Sequence, residues 1–533
     1  MSARVRPAEV LRGAGHAHRW SVLAVVCVSG LIVNVDNTIL NVALPTLVHD
    51  LHATSSQLAW IVDSYAMVFA GLLLVGGSLG DRFGRKRFFL LGLTVFLGGS
   101  IGAALSGSVD WLIAFRAVMG AGAALTIPSS LSIVNDVFRD PTERARAIGA
   151  WAGTIGLGIA LGPIAGGLLL ASFWWGSIFL VNVPIAIAGF VGAVVLVPDS
   201  KNLRAARPDF GGAMLSIVGL GLLLWAIIEA PTQGWTSWSV LATGVGGIAV
   251  LGAFVAWEAQ SIHPMLTLGF FADRRFSIAW MAEILGTFGL LGALFVQTQF
   301  LQFDLGFSPL QAGLRILPIA AVLCICAPLS PLVARIIGVR FTLGVGLASV
   351  VGGLWQISAA SSVATTYGSV VPGLLLIGLG AGLLLPTATN SVVGSVPQGD
   401  SGVGSAANAV ALQVGGALGV AVIGSMLSTR YGSLMNAALA GRHLPTGVTQ
   451  TILGSLGGAL AVASSAGGAT GALLAHAARA AFMSGSAISL AVGAGVALSG
   501  AVVVVVFLRS RTGHVPDPKR ASHASRAVES RLE

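Results

Sequence analysis

Apolar stretches of about twenty residues recur along the whole chain, a pattern that a water-soluble domain cannot bury. They lie near residues 20–44, 57–79, 88–107, 111–132, 147–170, 178–197, 211–230, 239–257, 277–301, 312–333, 340–360, 370–393, 403–427 and 485–508, fourteen in all. In lipid every backbone N–H and C=O has to find its partner inside the protein, so runs of this length read as membrane-spanning helices. Charged residues are 9% of the chain, against roughly 25% in an ordinary soluble domain. The expected fold class is therefore all-α and integral to a membrane.

A net charge of +9 would ordinarily raise the question of nucleic acid. The placement of the cations answers it. When loops are assigned to alternating sides, 24 of the 29 Lys and Arg residues fall on one side, and only Arg430, Arg442 and Arg479 on the other. That bias is the positive-inside rule. It predicts a multi-pass protein of the cell membrane with both termini cytoplasmic, and no nucleic-acid partner. The basic N-terminus followed by an apolar run imitates a signal peptide. The run is long, carries Asp36 and lacks a cleavage site, so it reads as a retained first helix. Residues 450–475 are apolar but built of Ala, Gly, Ser and Thr, and a fifteenth span there would put the basic tail outside. The segment 428–484 is accordingly expected to be a long external loop with an interfacial helix. Cys27, Cys324 and Cys326 all fall in apolar spans, which implies neither a disulfide framework nor a metal site.

Ionisable residues inside spans are costly, at least ~2.5 kcal/mol at the centre of a helix, and are functional candidates for that reason. Asp36 sits about eight residues inside the outer end of the first span, roughly 12 Å at helical rise. Asp63 in the second span and Arg116 in the fourth are placed at a similar depth, so the three charges are expected to share one level. Arg116 near a carboxylate would favour its ionised form, and withdrawal of the arginine would let a proton bind. A fixed structural Arg116–Asp36 pair is the competing reading. Glu283, seven residues into the ninth span, is a further buried acid. Gln297, Gln299 and Gln302 at the outer end of that span are candidates to line an external vestibule.

The run GGSLGDRFGRKR ends the second span. Its ordered spacing, Gly77, Asp81, Arg82, Gly84, Arg85 and Lys86, resembles the signature between the second and third helices of the major facilitator superfamily. VDNTILNVALP, with Asp36, Asn41 and Pro45, and LIAFRAVMGAGAA around Arg116 are similar to first- and fourth-helix motifs of its fourteen-span drug:proton antiporters. Met119 departs from the usual glutamine there. GTIGLGIALGPIAGG resembles the motif of antiporters, with Gly158, Gly162, Pro163, Gly166 and Gly167. Ala150, Thr154, Gly158, Gly162 and Gly166 fall every four residues and make one face of small side chains. WWGSIFLVNVP and the region Pro386–Val422 match the same family.

The resemblance implies a major facilitator fold of 14 helices, two six-helix bundles with a pair inserted between them. Residues 1–19 would be a cytoplasmic tail, 20–197 the first bundle, 198–276 the inserted pair with linkers, 277–508 the second bundle and 509–533 a second cytoplasmic tail. It implies proton-coupled export of amphipathic, cationic drugs or antiseptics by a monomer, with Asp36, Asp63, Arg116 and Glu283 handling protons or substrate. Asp81 would act as a latch opposite the helix start near Gly402. The alternative on the same scaffold is a dedicated exporter of a metabolite, antibiotic or lipid; a membrane sensor or an enzyme is the remote one. No GxxxxGK[ST] loop, metal-ligand spacing or catalytic triad is visible, so no cofactor is expected and the proton gradient is the energy source.

Overall fold

Capping chemistry sets where each helix begins and ends. The computed structural model describes residues 18–507 apart from 202–207, 262–263 and 397–400. The tails expected at 1–19 and 509–533 lie almost wholly outside the described residues. Helix α1 (Arg19–Leu51) closes at His52, whose left-handed backbone turns its N–H onto Leu47 O. A reciprocal box between Thr54 and Gln57 then starts α2 (Ser55–Phe83). Gly84, at φ 126°, makes the turn into α3 (Arg85–Ala104), a conformation that side chains with a Cβ rarely adopt. Ser108 caps α4 (Val109–Val137). Asp140 accepts from Thr142 and Glu143 ahead of α5 (Pro141–Ser172), where Pro141 occupies the position that lacks a helical donor anyway.

The sixth span is broken into α6 (Ser177–Leu180) and α7 (Asn182–Leu196). Pro184 supplies no N–H to the carbonyl four residues earlier, and the helix interrupts there. The inserted pair is α8 (Phe210–Gln233) and α9 (Trp238–Gln260). The second bundle contains α10 (Arg274–Gln299), α11 (Pro309–Ile337), α12 (Val339–Ala360), α13 (Tyr367–Gly394) and α14 (Ser401–Leu439). Two short helices, α15 (Thr446–Gly454) and α16 (Leu456–Ala466), lead into α17 (Gly468–Phe507). Among the described residues there is no strand. Among them thirteen stretches are long and apolar enough to cross a membrane. The predicted fifth span falls on α5, a helix of 32 residues whose apolar part includes Ala160–Ser172.

The expected loop at 428–484 is instead helical almost throughout. α14 continues to Leu439 and α17 begins at Gly468, so both run for roughly 60 Å at 1.5 Å per residue and outreach a core about 30 Å thick. Alanine is the best helix former, and the Ala-rich composition that argued against a span favours a helix all the same. α15 and α16 are too short to cross; α16, at 11 residues, reaches about 16 Å. The buried hydroxyl of Tyr431 holds them down, sharing its proton between Ile452 O at 2.9 Å and Ser455 O at 3.2 Å.

In the first bundle α4 packs on α2 and α3, and α1 on α5 and α7; in the second, α10 packs on α14 and α13, and α12 on α13 and α17. The bundles meet along α2–α14 and α5–α11. Close approach needs missing side chains: a Cβ at Gly76 would strike the backbone of Ala124, and one at Gly122 the backbone of Phe96. Both described hydrogen bonds that join the bundles directly lie at the Leu51 end. Gln302 donates to Val42 O at 2.8 Å, and Ser55 to Gly454 O at 3.0 Å.

Helix α8 spans the α2–α14 seam at the same end. Pro231 leaves the carbonyl of Ile227 without its helical donor, and Ser425 of α14 supplies one at 2.6 Å. The next carbonyl, Ile228, accepts from Ser56 of α2 at 3.2 Å. Trp235 of the α8–α9 turn donates to Thr429 of α14 at 3.0 Å, and Trp60 of α2 reaches Glu229 at 3.4 Å. Ser425→Ala strands the Ile227 carbonyl in an apolar setting, a loss of about 1–3 kcal/mol. A lower unfolding temperature in detergent is the expected result. An unchanged one would mean that this bond contributes nothing.

Candidate functional site

Asp36 lies deeper than its sequence position suggested. Because α1 continues to Leu51, the carboxylate sits near mid-helix, ~22 Å from that end. It is fully buried, as is Arg116 of α4. Arg116 Nη1 donates to Asp36 Oδ2 at 2.5 Å, and its Nε to Ile61 O of α2 at 3.1 Å. The guanidinium lies 4.4 Å from the centre of the Tyr65 ring, a face that favours a cation.

A residue outside the sequence-derived set completes the cluster. Asn182, at the break between α6 and α7, donates to Asp36 Oδ1 at 2.9 Å and lies 3.2 Å from Ser100 Oγ. Ser100 in turn donates to Phe179 O at 2.7 Å. A polar side chain in the run LVNVP was the available signal, and the proline that breaks the helix is what aims it inward. A wholly desolvated ion pair adds little net stability, yet removing one partner is expensive because the other charge stays buried. The arrangement thus links the state of the carboxyl to the position of the arginine across α1, α2, α4 and α7.

Asp63 does not join it. Its side chain is fully buried, two residues from the Ile61 carbonyl, and neither carboxyl oxygen has a hydrogen-bond partner. Of the three charges expected on one level, the structure brings two into contact. Glu283 lies apart in the second bundle, fully buried, and takes a hydrogen bond from Thr389 of α13 at 3.0 Å. Gln302 ties α10's extension to α1, and Gln297 and Gln299 are buried. Of the three glutamines, only Gln302 has a described hydrogen bond that ties the bundles at the Leu51 end, while Gln299 donates within its own helix to Phe295 O at 3.1 Å.

The Gly77–Lys86 segment is an anchored turn. Arg85 bonds Asp81 at 2.7 Å and lies 3.7 Å from Asp136 in the last turn of α4, where the helix dipole also favours a cation. Arg85 N–H reaches Ser200 O at 3.0 Å, and Lys86 donates to Val194 O at 2.8 Å. Arg82 stacks over Phe83. Asp136 was not legible as part of this turn. The α14 start near Gly402 lies outside the residues whose side chains are described.

The small-residue face of α5 serves two neighbours. Gly158, Gly162 and Gly166 pack on α1, against Asn34, Thr38 and Ile39, and Thr38 donates to Gly158 O at 2.8 Å. Gly167 and Pro163 instead meet α11 across the bundle boundary, at Leu310 and Gly313. Where α1, α5, α10 and α11 converge, lined by Thr38, Asn41, Pro163 and Ile316, the remaining cavity is ≈ 10 Å³. That is about the room of a single water.

Comparison with known proteins places this geometry. The family model described as Major Facilitator Superfamily matches residues 26–420. The chain is 36% identical over 495 residues to the multidrug efflux pump LfrA of Mycolicibacterium smegmatis, covering 92% of this chain and 96% of that protein. It is 32% identical over 440 residues to the tetracenomycin C resistance and export protein of Streptomyces glaucescens, with 82% and 81% covered. Among solved structures, a bacterial homolog of the human lysosomal transporter Spinster, inward-facing and unoccupied, superposes with a TM-score of 0.62 at 18% identity, over 92% of this chain and 98% of that one.

Proposed function

The chain belongs to the major facilitator superfamily, and from that premise we propose that it is a proton-coupled antiporter exporting amphipathic, cationic drugs or antiseptics across the cytoplasmic membrane. It is a multi-pass membrane transporter, not an enzyme. The observation that carries the proposal is the wholly buried Asp36–Arg116 pair in the middle of an apolar bundle. In this reading Asp36 binds a proton from one side, Arg116 lets go of the carboxyl while Ile61 O and the Tyr65 ring still hold it, and the bundle rearranges before the proton leaves on the other side. Asn182 keeps the carboxyl oriented through the exchange. One charge crossing 100 mV supplies about 2.3 kcal/mol, close to fifty-fold accumulation before any pH gradient is added. The Lys and Arg bias supports cytoplasmic termini, which makes the Leu51 end the outer one.

Efflux of a fluorescent cation from proteoliposomes under an imposed pH gradient tests the reading. Gradient-dependent flux is expected, and flux indifferent to the gradient would sink it. A dedicated antibiotic exporter is the second reading, favoured by the likeness to the tetracenomycin C export protein. Resistance profiling against a compound panel separates breadth from a single substrate.

Asp81 is proposed to set the conformational balance, not to touch substrate. Asp81→Asn frees Arg85 from its 2.7 Å partner and removes an anion at the turn. Turnover is expected to slow about two- to fivefold, the size of a surface dipole effect, with the same compounds bound. Cysteine labelling on the two faces reads the shift. An unchanged pattern with normal turnover would leave Asp81 an interfacial charge only.

A further inference from the structure

Helices α8 and α9 stand outside both bundles, and their hydrogen bonds to the two sides are of different kinds. Pro231 has no N–H, so the Ile227 carbonyl of α8 lacks a helical donor and depends on Ser425 of α14, 2.6 Å away. Giving up that bond leaves a backbone acceptor without a partner. The neighbouring carbonyl, Ile228, is placed otherwise. α8 continues to Gln233, so the Thr232 N–H serves Ile228 O within the helix. The Ser56 hydroxyl of α2, at 3.2 Å, is therefore a second donor to an oxygen already bonded. Glu229 repeats the pattern: Trp60 of α2 reaches it at 3.4 Å, while Thr232 of its own helix bonds its other oxygen at 3.1 Å. Ile228 O and Glu229 keep a donor when α2 leaves. Ile227 O keeps none when α14 does.

The rest of the pair is fastened to the same side. Trp235 donates to Thr429 of α14 at 3.0 Å. α9 packs on α8, and Trp257 near its end donates to Asp209, the α8 cap, at 2.9 Å, which braces the two helices as one unit. Glu258 of α9 accepts from Leu266 N at 3.0 Å, and Leu266 is buried with Phe276, Leu343 and Leu384 of the second bundle. Toward α2, by contrast, α8 offers shape: Ile217 sits over Gly71, and Gly221 leaves room for Met67. Such contacts hold no backbone group to a fixed partner. Among the described hydrogen bonds, only those of Ser56 and Trp60 tie α8 or α9 to the first bundle.

We propose that α8 and α9 travel with the second bundle, and that the Ser56–Ile228 and Trp60–Glu229 contacts form a releasable clasp that favours closure of the Leu51 end. The inference goes beyond the export reading: it needs the two bundles to move, and neither protons nor a particular solute enters it. In the closed form α2 and α14 are bridged through one turn of α8, residues 227–229. When the bundles part at that end, α2 leaves, Ser56 and Glu229 pass to water, and the Ile227–Ser425 bond goes with α14. Two serines that donate to adjacent carbonyls therefore act differently. Ser56 favours one conformation over the other; Ser425 supports both alike and shifts nothing between them.

Pulsed electron-spin distance measurements on the full chain in lipid nanodiscs test this. Spin labels go two at a time on Leu105→Cys in the first bundle, Asn436→Cys in the second and Trp238→Cys on α9, in a Cys27→Ser/Cys324→Ser/Cys326→Ser background. All three sites are exposed and near the Leu51 end. The Leu105–Asn436 and Leu105–Trp238 distances should each fall into a short and a long population, and the Trp238–Asn436 distance into one. Ser56→Ala should raise the long-to-short ratio about two- to tenfold, the worth of one net hydrogen bond. Ser425→Ala should leave that ratio unchanged while lowering the unfolding temperature. An unchanged ratio in Ser56→Ala/Trp60→Phe, or an equal rise in Ser425→Ala, overturns the clasp. If Ser425→Ala does not fold, the label on α9 decides: two Trp238–Asn436 populations beside a single Leu105–Trp238 distance would assign the pair to the first bundle.

Discussion

Asp36→Asn is expected to abolish gradient-driven efflux and, in addition, to destabilise the protein. The isosteric amide keeps the shape and the Asn182 contact but cannot cycle a proton. It also leaves Arg116 as an unpaired, wholly buried cation, and breaking a buried pair by one partner costs about 3–5 kcal/mol. The 2.5 Å ion pair argues for reduced yield of the single variant. The double variant Asp36→Asn/Arg116→Gln separates the two effects, because it removes both charges. Unfolding temperature should recover in the double variant while transport stays absent. Undiminished pH-gradient-driven flux in Asp36→Asn, at equal reconstituted protein, would end the coupling role of this residue.

Gly162→Leu is expected to lower turnover at least tenfold. A Cβ at this position would already lie 2.9 Å from the Ile39 backbone nitrogen and would strike the Thr38 hydroxyl, whose bond to Gly158 O fastens α5 to α1. Overpacking of this kind typically costs 1–3 kcal/mol. Here it forces α1 away two residues from Asp36, so transport should suffer more than stability. Gly153→Leu is the control, because nothing lies within 4 Å of a Cβ there. Normal turnover in a well-expressed Gly162→Leu would show that the α1–α5 face is not a tight seam.

Residue order alone made the all-helical class and the polar positions along the spans readable; of the fourteen spans expected, thirteen stretches among the described residues are long and apolar enough to cross. Apolar length and the placement of Lys and Arg are one-dimensional signals, and they survive into three dimensions. What faces what does not. The Arg116–Asp36 contact was foreseeable because two opposite charges in lipid have to meet, yet the same logic enrolled Asp63, which the packing of α2 leaves unbonded. Asn182 and Asp136 escaped notice since each acts through a neighbour chosen by a break or a helix end. Asp36 lies deeper than a first span of 20–44 implies because α1 runs on through Pro45 to Leu51; one proline bends a helix more readily than it stops it inside a packed bundle. The 428–484 segment differs from its expectation for a related reason: small residues and the side of the basic tail argue against a further span, but neither argues against a helix.

The position of α8 makes the two flanks of the molecule unequal. Its carbonyls at Ile227 and Ile228 join α2 to α14, and α9 lies against its far side, so that flank is double-walled. On the opposite flank α5 meets α11 at Gly167 and Gly313, and among the described residues no third helix is laid over that seam. Under the export proposed above, a solute dissolved in the bilayer would approach the interior from one flank, beside α5 and α11. Stiff or crowded lipid on that side alone would throttle supply while leaving the Asp36–Arg116 pair untouched.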